Sequence, residues 1–143
     1  MKLFDGINVL ALPLAATVSF VFGGIWYGLL SKRWMEAANL DPSRLKPGGG
    51  TNPAPFVITF LAELVMAWVL AGILLHLRKS GAPATTYTGM LSAAMIWAGF
   101  VVTTLAVNHQ FQMQRASLTV IDGGHWLGVL LLQGAILGYL GLV

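Results

Sequence analysis

The chain has 143 residues, 57% of them hydrophobic and 9% charged, with a mean hydropathy of +0.77. Soluble domains carry about a quarter charged residues, so a water-soluble fold is excluded. The formal charge of +3 comes from Lys and Arg scattered through connecting segments, which excludes a nucleic-acid stripe. The absence of cysteine excludes disulfides, thiolate metal sites and Cys nucleophiles.

Four apolar runs follow in chain order, at about 7–30, 54–77, 84–107 and 119–142. A bilayer core of about 30 Å needs roughly 20 helical residues, and each run is long enough. They are apolar on every face, whereas barrel strands alternate over about ten residues, so helices are the way to satisfy their backbones in lipid. The first run exceeds the roughly 7–15 apolar residues of a signal peptide and has only Lys2 before Asp5, so it is expected to stay as a span. Pro13 falls in its first turns, where a missing N–H costs little.

Residues 31–53 form the one sizeable connection. Its first part, SKRWMEAANL, has helical spacing, with Trp34, Ala37 and Ala38 expected towards the membrane and Lys32, Arg33 and Glu36 towards water. That predicts a helix extension or an interfacial helix. Asp41-Pro42 reads as a cap and first-turn proline of a further short turn, and PGGGTNPAP as a stop. The connections RKSGAP and NHQFQMQRASL are short, so neighbouring spans should pack antiparallel. The expected fold is therefore all-α: a single domain over 1–143, a polytopic bundle of four antiparallel transmembrane helices with a short helical segment in the first loop.

Orientation is read from Lys and Arg. Lys32, Arg33, Arg44, Lys46 and Arg115 lie on the side of the 31–53 loop, against Lys2, Arg78 and Lys79 on the other. This bias predicts a cytoplasmic long loop, in a multi-pass protein expected in an inner membrane. The strings Ile25–Gly28 (IWYG) and Ile96–Gly99 (IWAG) suggest an internal repeat. They sit at different depths in their spans, however, and spans two and four share nothing at that offset, so chance explains them better.

Chemistry is sought where polarity enters the spans, because a charge in lipid costs about 2.5–3.5 kcal/mol even on the lenient scale. Glu63 and Asp122 are the two such charges. His125 follows Asp122 by one helical turn and Gln133 returns close to that face. Asn108 and His109 close span three and Trp26 and Tyr27 approach the end of span one, all on the side of the long loop. The candidate polar site is thus Glu63, Asp122, His125, Asn108, His109 and Tyr27, opening towards that loop, with Tyr27, Asn108 or His125 as the expected donor to Glu63.

The competing account makes these residues interfacial anchors, a helix cap at Asp122 and packing glue at Glu63. Two histidines and two carboxylates are also suitable metal ligands, although Asp-x-x-His alone is weakly specific, and the sequence names neither a metal nor a cofactor. His76 with Arg78 and Lys79 reads as a headgroup anchor, and Thr103 and Thr104 as self-bonding hydroxyls. Small residues recur four apart at Gly24/Gly28, Gly89/Ala93, Gly124/Gly128 and Gly134/Gly138. Such pairs let helices approach closely, within the chain or in a homo-oligomer through Gly-rich faces. No phosphate loop, Ser-His-Asp order or HExxH string is present, which argues against an enzyme of soluble type.

The Trp26–Gly28 WYG followed by Trp34 and a small loop, the Gly99–Asn108 stretch GFVVTTLAVN and the Gly- and His-bearing fourth span are similar to a known pattern. Over nearly its whole length the chain resembles the bacterial membrane proteins grouped as the domain-of-unknown-function family numbered 1761. The resemblance implies about four spans and brings no activity or functional residue. Three readings follow: a bundle that binds or passes a small solute or proton at its polar site, a structural or assembly protein with no ligand, and, ranked last, an intramembrane metal-dependent enzyme.

Overall fold

The computed structural model describes residues 5–40 and 52–143. The Asp41-Pro42 turn and the glycine-rich stop lie largely outside the described residues, as do Lys2, Arg44 and Lys46. The helices are α1 (Ala11–Ala37), α2 (Ala54–Lys79), α3 (Thr86–Ile96), α4 (Val102–Phe111) and α5 (Ala116–Leu140). A π-helical segment, Trp97–Val101, joins α3 to α4, so the two cross as one continuous span. Four helical rods of 27, 26, 26 and 25 residues result, each apolar and long enough to cross a bilayer. The protein is an all-α four-helix membrane bundle.

The helical segment expected in the first loop is the tail of α1, which runs seven residues beyond Leu30 without a break. Asn39 ends it by taking a positive φ of 52°, which lets Leu40 N–H reach back to Met35 O at 2.9 Å. Trp34 departs from the expectation that it faces the membrane. Its indole turns inward to the bundle, because a carboxylate on α5 lies within reach of its N–H. At the opposite end the two termini are stitched together, with Asn8 N–H on Gly141 O at 2.9 Å and Val143 N–H on Gly6 O at 3.2 Å.

Helix α5 is the centre of the bundle, touching every other helix. Against α3 it packs backbone to backbone. A Cβ on Gly89 would run into the Gly134 carbonyl, one on Gly134 would come within 2.5 Å of Gly89 O, and one on Gly138 would strike Thr85 O. Against α1, Gly124 makes room for the Trp26 ring and Gly128 for Phe22. Three of the four small-residue pairs are thus spent on close approach within the chain. The fourth differs: a Cβ on Gly24 or Gly28 would meet nothing within 4 Å.

Two tryptophans fix the rotation of α5. Trp26 Nε1–H donates to Ile121 O at 3.2 Å from one side, and Trp97 Nε1–H to Gly123 O at 2.8 Å from the other.

A polar cavity between α1, α2 and α5

Ser19, Gly23 and Tyr27 are spaced four apart, so they form one stripe on α1. Antiparallel α5 lays Gln133, His125 and Asp122 along that stripe, and α2 adds Glu63. The polar residues of the spans therefore form a track down a three-helix seam, in two clusters.

The first cluster is near the long-loop end. Asp122 Oδ1 accepts from Tyr27 Oη at 2.8 Å and from Trp34 Nε1 at 3.1 Å. Its Oδ2 lies 3.7 Å from His109 Nε2, an ion pair when the imidazole is protonated. His109 Nδ1 is 3.0 Å from Thr119 Oγ1, so the ring is held at both nitrogens. Asp122 is well inside α5, whose N-cap is Arg115, so it does not cap that helix. Its donors come instead from α1, which is why the charge is tolerated there.

The second cluster is deeper. Glu63 lies nine residues after Ala54, roughly 13 Å along α2, and is fully buried. Its partners differ from the expected Tyr27, Asn108 or His125. Glu63 Oε2 is 2.8 Å from Ser19 Oγ, and Gln133 Nε2–H donates both to Ser19 Oγ at 3.1 Å and to the Glu63 backbone carbonyl at 3.0 Å. Ser19 also has the Ala15 and Ala16 carbonyls within 3.1 Å. One hydroxyl proton cannot serve three acceptors at once, so the pair with Glu63 can equally be closed by a proton on the carboxyl group. Glu63 Oε1 and Gln133 Oε1 have no hydrogen-bond partner among the described residues.

Between these clusters lies a cavity of about 470 Å³. Its buried floor is Gly23, Glu63 and His125, and its mouth is the exposed Gly24, Gly28 and Phe56 in the half of the bundle nearer the long loop. Phe20, Tyr27 and Trp126 complete an aromatic wall, with Thr59 beside the mouth. His125 is packed among rings, 4.7 Å from Tyr27 and 4.8 Å from Trp126 between centroids, and its Nδ1 has no partner among the described residues. A Cβ on Gly23 would come within 2.7 Å of His125 Nε2, so the imidazole would have to shift to admit one.

Of the six residues singled out in the sequence, Glu63, His125 and Tyr27 share the cavity, while Asp122 and His109 form the outer cluster. Tyr27 joins the two, with its ring on the cavity and its hydroxyl on Asp122. Asn108 belongs to neither. It is exposed on the outer face of α4, in a shallow groove with Thr103, Thr104 and Val107. Among the described residues no three His, Asp or Glu side chains converge as a metal-holding group.

The sequence model of the family described as "Protein of unknown function (DUF1761)" matches residues 10–138. The chain belongs to this family. The match spans all four rods of the DUF1761 bundle and takes in every residue of the cavity and of the outer cluster. No curated protein and no solved structure matches the chain. Family membership therefore leaves the chemistry of this DUF1761 site to be argued from its geometry.

Proposed function

We propose that this DUF1761 protein binds a small, largely apolar solute with one polar group in the cavity between α1, α2 and α5. The observation that carries this reading is a roomy aromatic cavity bordered by a buried carboxyl group with an unpartnered oxygen. Small-molecule sites are commonly concave, of about 300–1,000 Å³, mostly apolar and furnished with a few convergent polar groups. Gly24 and Gly28 support it too, because small residues on the wall of a bundle hold space open when no neighbouring helix fills it. The same track of Glu63, His125, Tyr27 and Asp122 would also serve to move a proton along the seam, as chains of such residues do in pumps and transporters.

The test is thermal unfolding of the purified protein across a panel of small solutes. A stabilising solute whose effect disappears in Gly24→Leu, a variant that fills the cavity, supports the reading. A panel with no stabilising solute sensitive to Gly24→Leu removes it.

A structural role is the second reading. The Ser19–Glu63–Gln133 contacts tie three helices together at the bundle centre, as packing glue would. It predicts that Glu63→Gln lowers stability and changes nothing else.

For orientation we propose that the 31–53 loop faces the cytoplasm, from an inner-membrane location, on the strength of the Lys and Arg bias. Reporter fusions at Gly49 and at the C-terminus check this, and an extracytoplasmic signal from Gly49 reverses it.

A further inference from the structure

We infer that the solute is a lipophilic organic cation, an ammonium group carrying apolar substituents; this rests on the solute-binding reading above. Charge is the first argument. Glu63 borders the cavity and is fully buried, and among the described residues no Lys or Arg lines it. A carboxylate in such a place needs a cation or a proton to neutralise it, because an isolated buried charge is very costly. The cavity therefore offers a bound cation a role that no side chain lining it among the described residues fills.

The walls supply the second argument. Phe20, Tyr27, Phe56 and Trp126 come from three helices to line one space. The negative faces of aromatic rings attract cations, and cages of them are a recurrent way to hold quaternary ammonium groups. An anion would meet aromatic rings and a carboxyl residue, an unfavourable combination. A neutral apolar solute would make no use of the carboxyl residue that borders the space.

The mouth supplies the third. Phe56, Gly24 and Gly28 are exposed on the outer surface of the bundle between α1 and α2. Because α1 and α2 are both membrane-crossing rods, this opening faces the bilayer. It suits a molecule that partitions there, with its apolar substituents in lipid and its charge drawn inward.

The experiment uses the full chain in nanodiscs, with protein-free nanodiscs as the blank. Equilibrium dialysis compares benzyltrimethylammonium with neopentylbenzene, which has the same shape and no charge. The wild type is expected to prefer the ammonium by at least about tenfold. Glu63→Gln should reduce that preference to about twofold or less, and Gly24→Leu should abolish uptake of both. If Glu63→Gln does not fold, the exposed Phe56→Leu substitutes for it, and it should weaken the ammonium several-fold while sparing the neutral compound. Equal binding of the two compounds by the wild type overturns the cation and leaves the solute-binding reading standing. Absence of ammonium binding, or binding indifferent to Gly24→Leu, also overturns it. The solute-binding reading itself falls only on the separate panel of solutes.

Discussion

The two sides of α5 are built on opposite principles. Towards α3, Gly89, Gly134 and Gly138 bring backbones into contact, so that no side chain separates the helices. Towards α1 and α2, glycines at 24 and 28 face open space, and large rings stand around a cavity. The same residue type thus closes one seam and opens the other. What decides is the partner: opposed small residues let helices meet, whereas small residues opposed by nothing leave a void. In a bilayer no hydrophobic gain drives helices together, so tight packing on one side can support looseness on the other.

Breaking the closed seam should have the largest effect. Gly134→Leu places a side chain against the Gly89 carbonyl and should cost at least about 3 kcal/mol, beyond ordinary overpacking because the obstacle is backbone. Thermal unfolding in detergent should show an early transition or no folded fraction, and a near-normal midpoint would mean that α3 and α5 can separate freely. Next in size is Tyr27→Phe, which removes a charge-assisted bond to Asp122 and should cost about 1–2 kcal/mol. Paired with Glu63→Gln in a double-mutant cycle, it should show coupling below about 0.5 kcal/mol if the outer and inner clusters are independent. Strong coupling would merge them into one network through His125. Ser19→Ala takes a partner from both Glu63 and Gln133 and should cost about 1 kcal/mol, near the range of measured interhelical bonds in membranes. The smallest effect is expected on the open side. Gly24→Leu should change stability by no more than about 0.5 kcal/mol, and a loss as large as that of Gly134→Leu would show that the space is needed for folding.

The spans were legible because apolar runs of bilayer length leave the backbone few alternatives. The helices end within a few residues of the apolar runs, and α1 runs on to Ala37 as the helix extension that the spacing of SKRWMEAANL allows. Trp34 was misjudged on helical spacing, since an indole at an interface suits lipid equally well until a carboxylate faces it. Glu63 was visible as a charge, but Ser19 was not, because a serine in an apolar span ordinarily bonds its own helix, and this one does so too. The α5 stripe of Asp122, His125 and Gln133 could be read from spacing within one helix. Which residues of α1 and α2 meet that stripe depends on rotation and register between helices, which spacing alone does not set. Asn108 shows the same limit, for it ends on the outer face one residue away from His109, which turns inward.

The π-helical segment between α3 and α4 bears on that register. Gly89, Ala93 and Trp97 meet α5 at steps of four, and Val102, which lies with Trp97 against Gly123, follows Trp97 by a step of five. In an α-helix at about 100° per residue, five residues overshoot a full turn by about 140°. The wider π turn absorbs the extra residue, and His109 then arrives beside Asp122. The segment behaves as a phase shifter, letting one continuous rod present two differently timed faces to the same neighbour. Deleting Gly99 would restore uniform timing, and the imidazole would swing about a quarter turn or more away from its carboxylate. The position of His109 in the outer cluster therefore depends on one surplus residue placed more than two helical turns before it in the same rod.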